Sequence, residues 1–161
     1  MRGWVLAEHG QCEEGIAELR QGLEMARQQP LSLGDALFLL AEAEARKGAS
    51  AEARAALEEG LAVLSEEWFH ESTLLQLRGE LLAREDSHEA EASFREAMAL
   101  AHQQGARMFE LRATTSLARW LTERGRVAEA RRLLAPLYAS FTEGFDTRDL
   151  VEAKALLDEL G

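Results

Sequence analysis

The segment Gly48-Ala49-Ser50-Ala51-Glu52-Ala53-Arg54-Ala55-Ala56-Leu57-Glu58-Glu59-Gly60 opens on a turn residue and then sets an acid beside a small residue. Leu57 and Gly60 follow Ala53 at steps of four and seven. The same arrangement stands at three other places. Gly10 precedes Glu14-Gly15, Leu19 and Gly22; Asp86 precedes Glu89-Ala90, Phe94 and Ala97; Gly125 precedes Glu129-Ala130, Leu134 and Leu137. The small residue falls at 15, 53, 90 and 130, so the spacings are 38, 37 and 40. Each position has a physical reason. Glycine takes φ > 0 and closes the preceding helix. The glutamate sits in a first turn, where the helix dipole favours negative charge. The small residue lets two helices approach, and the positions four and seven residues on return to the same face.

Such self-similarity predicts stacked helical hairpins, each unable to bury its apolar face alone. The rest of the composition agrees. Of 161 residues, 47% are hydrophobic and only two are proline, and no stretch alternates long enough for a sheet. The helices read outward from the four marks. A short helix spans about Arg2 to Glu8, and a second runs from Cys12 to Gln28, broken by Gln29-Pro30. Ser32 opens a third to Lys47, with capping-box spacing to Asp35. Ser50 caps a helix to Ser65; Glu71 to Arg84 is the next; Ser87 caps a helix to Gln104. Ala106 to Arg124 follows, then Val127 to Thr142 with a kink expected at Pro136. A last helix over 147–160 is expected to shield the final apolar face with Val151, Ala155, Leu156 and Leu160.

The fold class expected is therefore all-α, a right-handed superhelix of antiparallel helix pairs, with about four hairpins and a C-terminal capping helix. The whole of 1–161 reads as one repeat domain, with units at about 1–29, 31–67, 70–104 and 106–142. The small–large–small register is that of the second helix of a tetratricopeptide repeat, although the usual period is ~34 residues.

The end of the chain carries a more specific resemblance. Ala113-Thr114-Thr115-Ser116-Leu117-Ala118-Arg119-Trp120, Glu129-Ala130-Arg131, Leu134-Ala135-Pro136-Leu137-Tyr138 and Phe141-Thr142-Glu143-Gly144-Phe145-Asp146-Thr147 form one set. Asp149-Leu150 and Glu152-Ala153-Lys154-Ala155-Leu156-Leu157 continue it, and Arg78-Gly79-Glu80-Leu81-Leu82 with the run Glu89 to Ala97 fits the same pattern. So do Met1-Arg2-Gly3-Trp4, Gly15 and Gly22. Together these resemble the tetratricopeptide-like C-terminal region of bacterial signalling proteins that carry a P-loop ATPase module, often after a class III adenylate/guanylate cyclase domain. The resemblance implies a regulatory or scaffolding protein–protein interaction module in signal transduction. It also implies that the catalytic parts lie upstream, so that this chain is a fragment or shortened relative.

There is no Gly-x-Gly-x-x-Gly, no Gly-x-x-x-x-Gly-Lys-Ser/Thr and no Gly-x-Ser-x-Gly. His9, His70, His88 and His102 form no His-x-x-x-His pair, and His88 beside Asp86, Glu89 and Glu91 reads as a solvated helix start rather than a metal site. Cys12 lies beside Glu13 and Glu14, which disfavour a thiolate. Pairs such as Glu58-Glu59 and Glu66-Glu67 read as solvated faces. The expectation is no enzyme, no cofactor and no metal. With one cysteine, no secretory leader and no apolar run near ~20 residues, the chain reads as soluble, cytoplasmic and free of the membrane.

Charge is uneven. The net is −11, yet residues 107–132 hold seven arginines against three glutamates. The overall sign argues against nucleic acid. In paired-helix stacks the first helix of each pair lines the concave face. By register, that face takes Trp4, then Asp35, Phe38 and Glu42, then Gln76 and Glu80, then Arg112, Thr115 and Arg119; Ala45 and Thr73 share it. Trp4 and Phe38 are expected to anchor a protein or peptide partner, or an upstream domain, and the two arginines to grip an anion. Arg112 and Arg119 have an alternative use in pairing with neighbouring acids, and Trp4 in plugging the N-terminal end. Two other readings are self-association through the end around Trp4, Val5 and Leu6, and small-ligand sensing in the same groove.

Overall fold

The computed structural model describes residues 2–28, 30–63 and 71–161. Among them are nine α-helices and no strand: α1 Arg2–Glu8, α2 Cys12–Ala26, α3 Pro30–Lys47, α4 Ser50–Ala62, α5 Glu71–Arg84, α6 Glu89–Gln103, α7 Arg107–Glu123, α8 Val127–Ala139 and α9 Arg148–Glu159. Met1, Gln29, Ser65, the Glu66-Glu67 pair and His70, all named above, lie outside the described residues.

Helix boundaries follow local chemistry, with several departures from expectation. The second helix ends before Pro30, as expected, but Pro30 itself rather than Ser32 opens α3, because its fixed φ suits a first helical position. Ser32 therefore falls inside the helix. The residue before α4 is Ala49, which offers no capping side chain, so Ser50 is already helical. Before α6, the Ser87 hydroxyl accepts from the Glu89 N–H at 3.3 Å, although His88 occupies the capping position. Helix α8 passes through Pro136 and ends one turn later, at Ala139.

The turn at the head of each repeat is the most regular feature. Gly10, Gly48, Asp86 and Gly125 all have positive φ. In each turn, the next residue's N–H reaches back five positions: Gln11 to Leu6, Ala49 to Glu44, Ser87 to Leu82, Arg126 to Leu121, all at 2.9–3.0 Å. This closes a helix by the same device four times. An aspartate fills one place because its short polar side chain tolerates the left-handed region.

Among the described residues, each helix packs only on helices one or two places along the chain. Odd-numbered helices touch the next odd one: α1 meets α3, α3 meets α5, α5 meets α7 and α7 meets α9. Consecutive helices run antiparallel; Ala7 lies against Gly15 while Gly3 lies against Gly15 and Leu19. Helices α7 and α9 run in the same sense, since Arg112 reaches Asp149 and Arg119 reaches Glu152. The core is accordingly a strip. One cluster runs from Ala7 to Leu81 and another from Ala90 to Leu160, with Leu75, Ala97 and Ala113 making a third.

The repeat marks sit in the seams of this strip. Gly15, Ala53, Ala90 and Ala130 are all buried, as are Leu19, Leu57, Phe94 and Leu134. At the third position Gly60, Ala97 and Leu137 are buried, but Gly22 is exposed with open space where a Cβ would stand. Leu23 and Ala26 are buried in α2 instead. The apolar stripe of α9 is also rotated from expectation. Leu150, Ala153, Leu156 and Leu160 are buried, whereas Val151 is 51% exposed. The three- and four-residue steps of Leu150, Ala153, Leu156 and Leu160 keep one face.

Glycines let backbones approach where the pattern asked for small residues. A Cβ on Gly15 would stand 2.4 Å from the Gly3 carbonyl oxygen, and one on Gly79 would stand 2.6 Å from the Phe94 ring. Gly79→Ala should therefore cost about 1–3 kcal/mol by overpacking. Gly22→Ala should be neutral or stabilising by up to about 1 kcal/mol. Urea unfolding followed by circular dichroism separates the two; equal effects would contradict the seam geometry.

Candidate functional site

The inward sides of α1, α3, α5 and α7, closed by α9, form a groove of about 640 Å³. Trp4, Phe38, Glu42, Gln76, Glu80, Arg112, Thr115 and Arg119 all line it, with Ala45 and Thr73. Asp35 does not: it is exposed near the start of α3 and outside the groove. Asp35 lies about one turn before Phe38, the first α3 residue on the groove. Register therefore placed eight of the nine residues on one surface. It missed Arg46, Arg84 and Arg148, and the acids Asp149 and Glu152, which also line it. Arg46 and Arg84 were legible, because each lies four residues after a groove glutamate on the same helix face. Arg148, Asp149 and Glu152 were not, since α9 reads as a cap whose acids neutralise the arginine-rich hairpin before it, not as a wall of the groove.

Hydrogen bonds across the groove join residues about one repeat apart. Trp4 Nε1 donates to Glu42 at 2.7 Å. Arg84 donates to the Ala45 carbonyl at 2.7 Å. Gln76 and Ser116 both donate to Glu80 Oε1, at 3.0 Å each. Arg112 holds Asp149 with two parallel bonds of 2.9 and 2.8 Å, the strong planar geometry for this pair. Arg119 donates to Glu152 at 3.1 Å and Arg148 to the same carboxylate at 2.7 Å.

For the two arginines these contacts match the alternative use, pairing with neighbouring acids. Arg112 and Arg119 are occupied by the acids of α9, and Trp4 is tied to Glu42 through its N–H. The arginine-rich stretch is largely neutralised. Arg107 pairs with Glu110, Arg124 with Asp86 and Arg126 with Glu91 and Glu129. Asp86 and Glu91, weighed above beside His88, are thus engaged by arginines, and no three metal-ligating side chains gather among the described residues. Cys12 donates to the Ala7 carbonyl at 3.8 Å. No described helix is long and apolar enough to cross a membrane.

Away from the groove, Arg95 bridges Glu91 and Glu129, and Arg126 meets both acids as well. This clasp joins α6 to α8. The Arg126 guanidinium holds both carboxyls below the usual carboxylate range, with Arg95 adding to the effect. In the groove, Arg148 and then Arg119 lower Glu152.

Glu91, Glu129 and Glu152 are therefore more acidic folded than unfolded. Their stabilisation is complete above the unfolded value near 4.5 and disappears as pH falls through the lower folded values. Melting temperature should fall on acidification below about pH 4.5, and Glu129→Gln should flatten that fall while changing stability little at pH 7. A variant as acid-sensitive as the native chain would remove the clasp as a cause. Compared with known proteins, the chain matches no family model, and none of the curated proteins matches it.

Proposed function

We propose that this chain is a non-catalytic protein–protein interaction module, a right-handed tetratricopeptide-like superhelix whose inner groove receives a partner segment. The observation that carries the proposal is the groove itself. Side chains from α1, α3, α5, α7 and α9 converge on one 640 Å³ recess that joins two aromatic rings to several charged groups. Recesses of about 300–1,000 Å³ are the usual size of a binding site. Phe38 and Trp4 supply apolar area at one end, and the ion pairs hold the floor rigid, which lowers the ordering cost of association.

The motif resemblance supports a narrower form of the proposal. On that reading the module is a regulatory or scaffolding part of a bacterial signal-transduction ATPase or cyclase and works in the cytoplasm. Its partner is a protein, a peptide or an upstream domain of a longer chain. A second reading rests on α1, which among the described residues packs on α2 and α3 alone and leaves Val5 46% exposed. That face suits self-association; light scattering that shows a concentration-independent monomer would eliminate it.

A photo-crosslinking amino acid at Phe38 should capture a partner in the source cells, while the same group at exposed Ala128 on α8 should capture none. Capture at position 128 alone, or at neither position, would overturn the groove as the contact surface.

A further inference from the structure

The repeat step relates the Glu91–Arg95–Arg126–Glu129 clasp, which joins α6 to α8, to the seam before it, between α4 and α6. Ala53 and Ala90 are 37 residues apart, so Arg54 and Glu58 on α4 hold the positions of Glu91 and Arg95 on α6. Glu89 precedes Ala90 as Glu129 precedes Ala130, and Ser87 follows the turn residue Asp86 as Arg126 follows Gly125. In the later seam each arginine is bonded to both acids. The earlier seam has one arginine, two glutamates and a serine in the same places. Its arginine turns elsewhere: Arg54 bonds Glu85 and is attracted to Glu58 only more weakly. Among the described residues, no arginine or lysine forms an ion pair with Glu58 or Glu89.

This seam is also hollow. A recess of about 360 Å³ opens there, sharing no residue with the groove. Leu57, Leu61, Leu81 and Leu82 line it together with Glu58 and Glu89. Leu57 and Leu81 are buried and both acids are exposed, so the floor is apolar and the rim charged. Arg78 on α5 lines the recess too, exposed and bonded to neither acid. Two unpaired acids against this one arginine leave the recess short of one positive charge.

We propose that this seam is a second contact surface, in which a partner protein seats an arginine side chain. The stem of that arginine lies on the leucines, and its guanidinium reaches Glu58 and Glu89, as Arg95 and Arg126 each reach two acids in the next seam. A planar fork spans two carboxylates, which a lysine ammonium does as a point charge only. The seated arginine ties α4 to α6, whose backbones do not otherwise meet, just as the clasp ties α6 to α8.

The capped tripeptide acetyl-Ala-Arg-Ala-amide stands for the partner's arginine in a titration followed by backbone amide NMR signals. It should shift the amides of Leu57, Leu61, Leu82 and Glu89 along one saturating curve. Binding should be about tenfold tighter than that of the same peptide with citrulline, which keeps the stem and loses the charge. Glu58→Gln and Glu89→Gln should each weaken it about threefold, and together about tenfold. Arg78→Gln, which removes the competing cation, should leave binding unchanged or tighter. Equal binding of the two peptides, shifts centred on the α6–α8 seam, indifference to both glutamine variants, or no shift at all would overturn the proposal. Tighter binding of butylguanidinium than of the tripeptide would point to a free small guanidine instead. Self-association of the chain lost in both Glu58→Gln and Arg132→Gln, the latter at an exposed residue of α8, would point to a second copy. Either result would overturn the assignment to a partner protein. Crosslinking at Phe38 tests the groove separately and is independent of all these outcomes.

Discussion

Close approach of neighbouring helix backbones is the constraint from which the rest of this structure follows. Gly3 meets Gly15 with no room for a side chain between them, and Gly79 seats the Phe94 ring against its bare Cα. Ala53, Ala90 and Ala130 do the same work with a single methyl group and are fully buried. Because the small residues recur once per hairpin, each hairpin nests on the next at the same place. Contacts then remain between near neighbours, and the core extends as a strip. Dispersion forces at these seams depend steeply on distance, so one added methyl group is felt along the whole contact.

Nesting by a constant step has a second consequence. Side chains one repeat apart become spatial neighbours, and many of the long-range polar contacts join such positions. Trp4 and Glu42 are 38 residues apart, Arg84 and Ala45 are 39, and Arg112 and Asp149 are 37. The groove polar network and the Glu91–Arg95–Arg126–Glu129 clasp away from it are two expressions of one translation. Partly exposed pairs of this kind contribute little individually. Their arrangement fixes the relative position of units.

The legible part of the fold was the part written in period. Turn residues at 10, 48, 86 and 125 and small residues at 15, 53, 90 and 130 identified helices and seams, because steric demands there admit few residue types. Helix ends were less legible. Pro30 reads equally as a breaker and as a first helical residue, and Ser50 as a cap or a helical residue; tertiary placement decides. The α9 stripe was misread because Val151 and Leu150 are both apolar, and hydrophobicity alone does not choose between adjacent faces. Most of the groove followed from register, as Gln76, Glu80, Arg112 and Arg119 show. What each arginine holds did not follow, since that depends on the side chain one repeat away rather than on sequence neighbours.

An open stack differs most plainly from a closed bundle in whether the last helix meets the first. Val151 is exposed on α9, and Cys12 is the only native thiol, so Val151→Cys in a Cys12→Ser background accepts a single nitroxide label. Paramagnetic broadening of backbone amide signals then maps which helices lie near α9. The account predicts broadening in α7, α8 and α9 with α1 to α3 unaffected. Broadening of α1 or α2 in the monomer would show a ring of helices around one centre and contradict the stacked-hairpin structure.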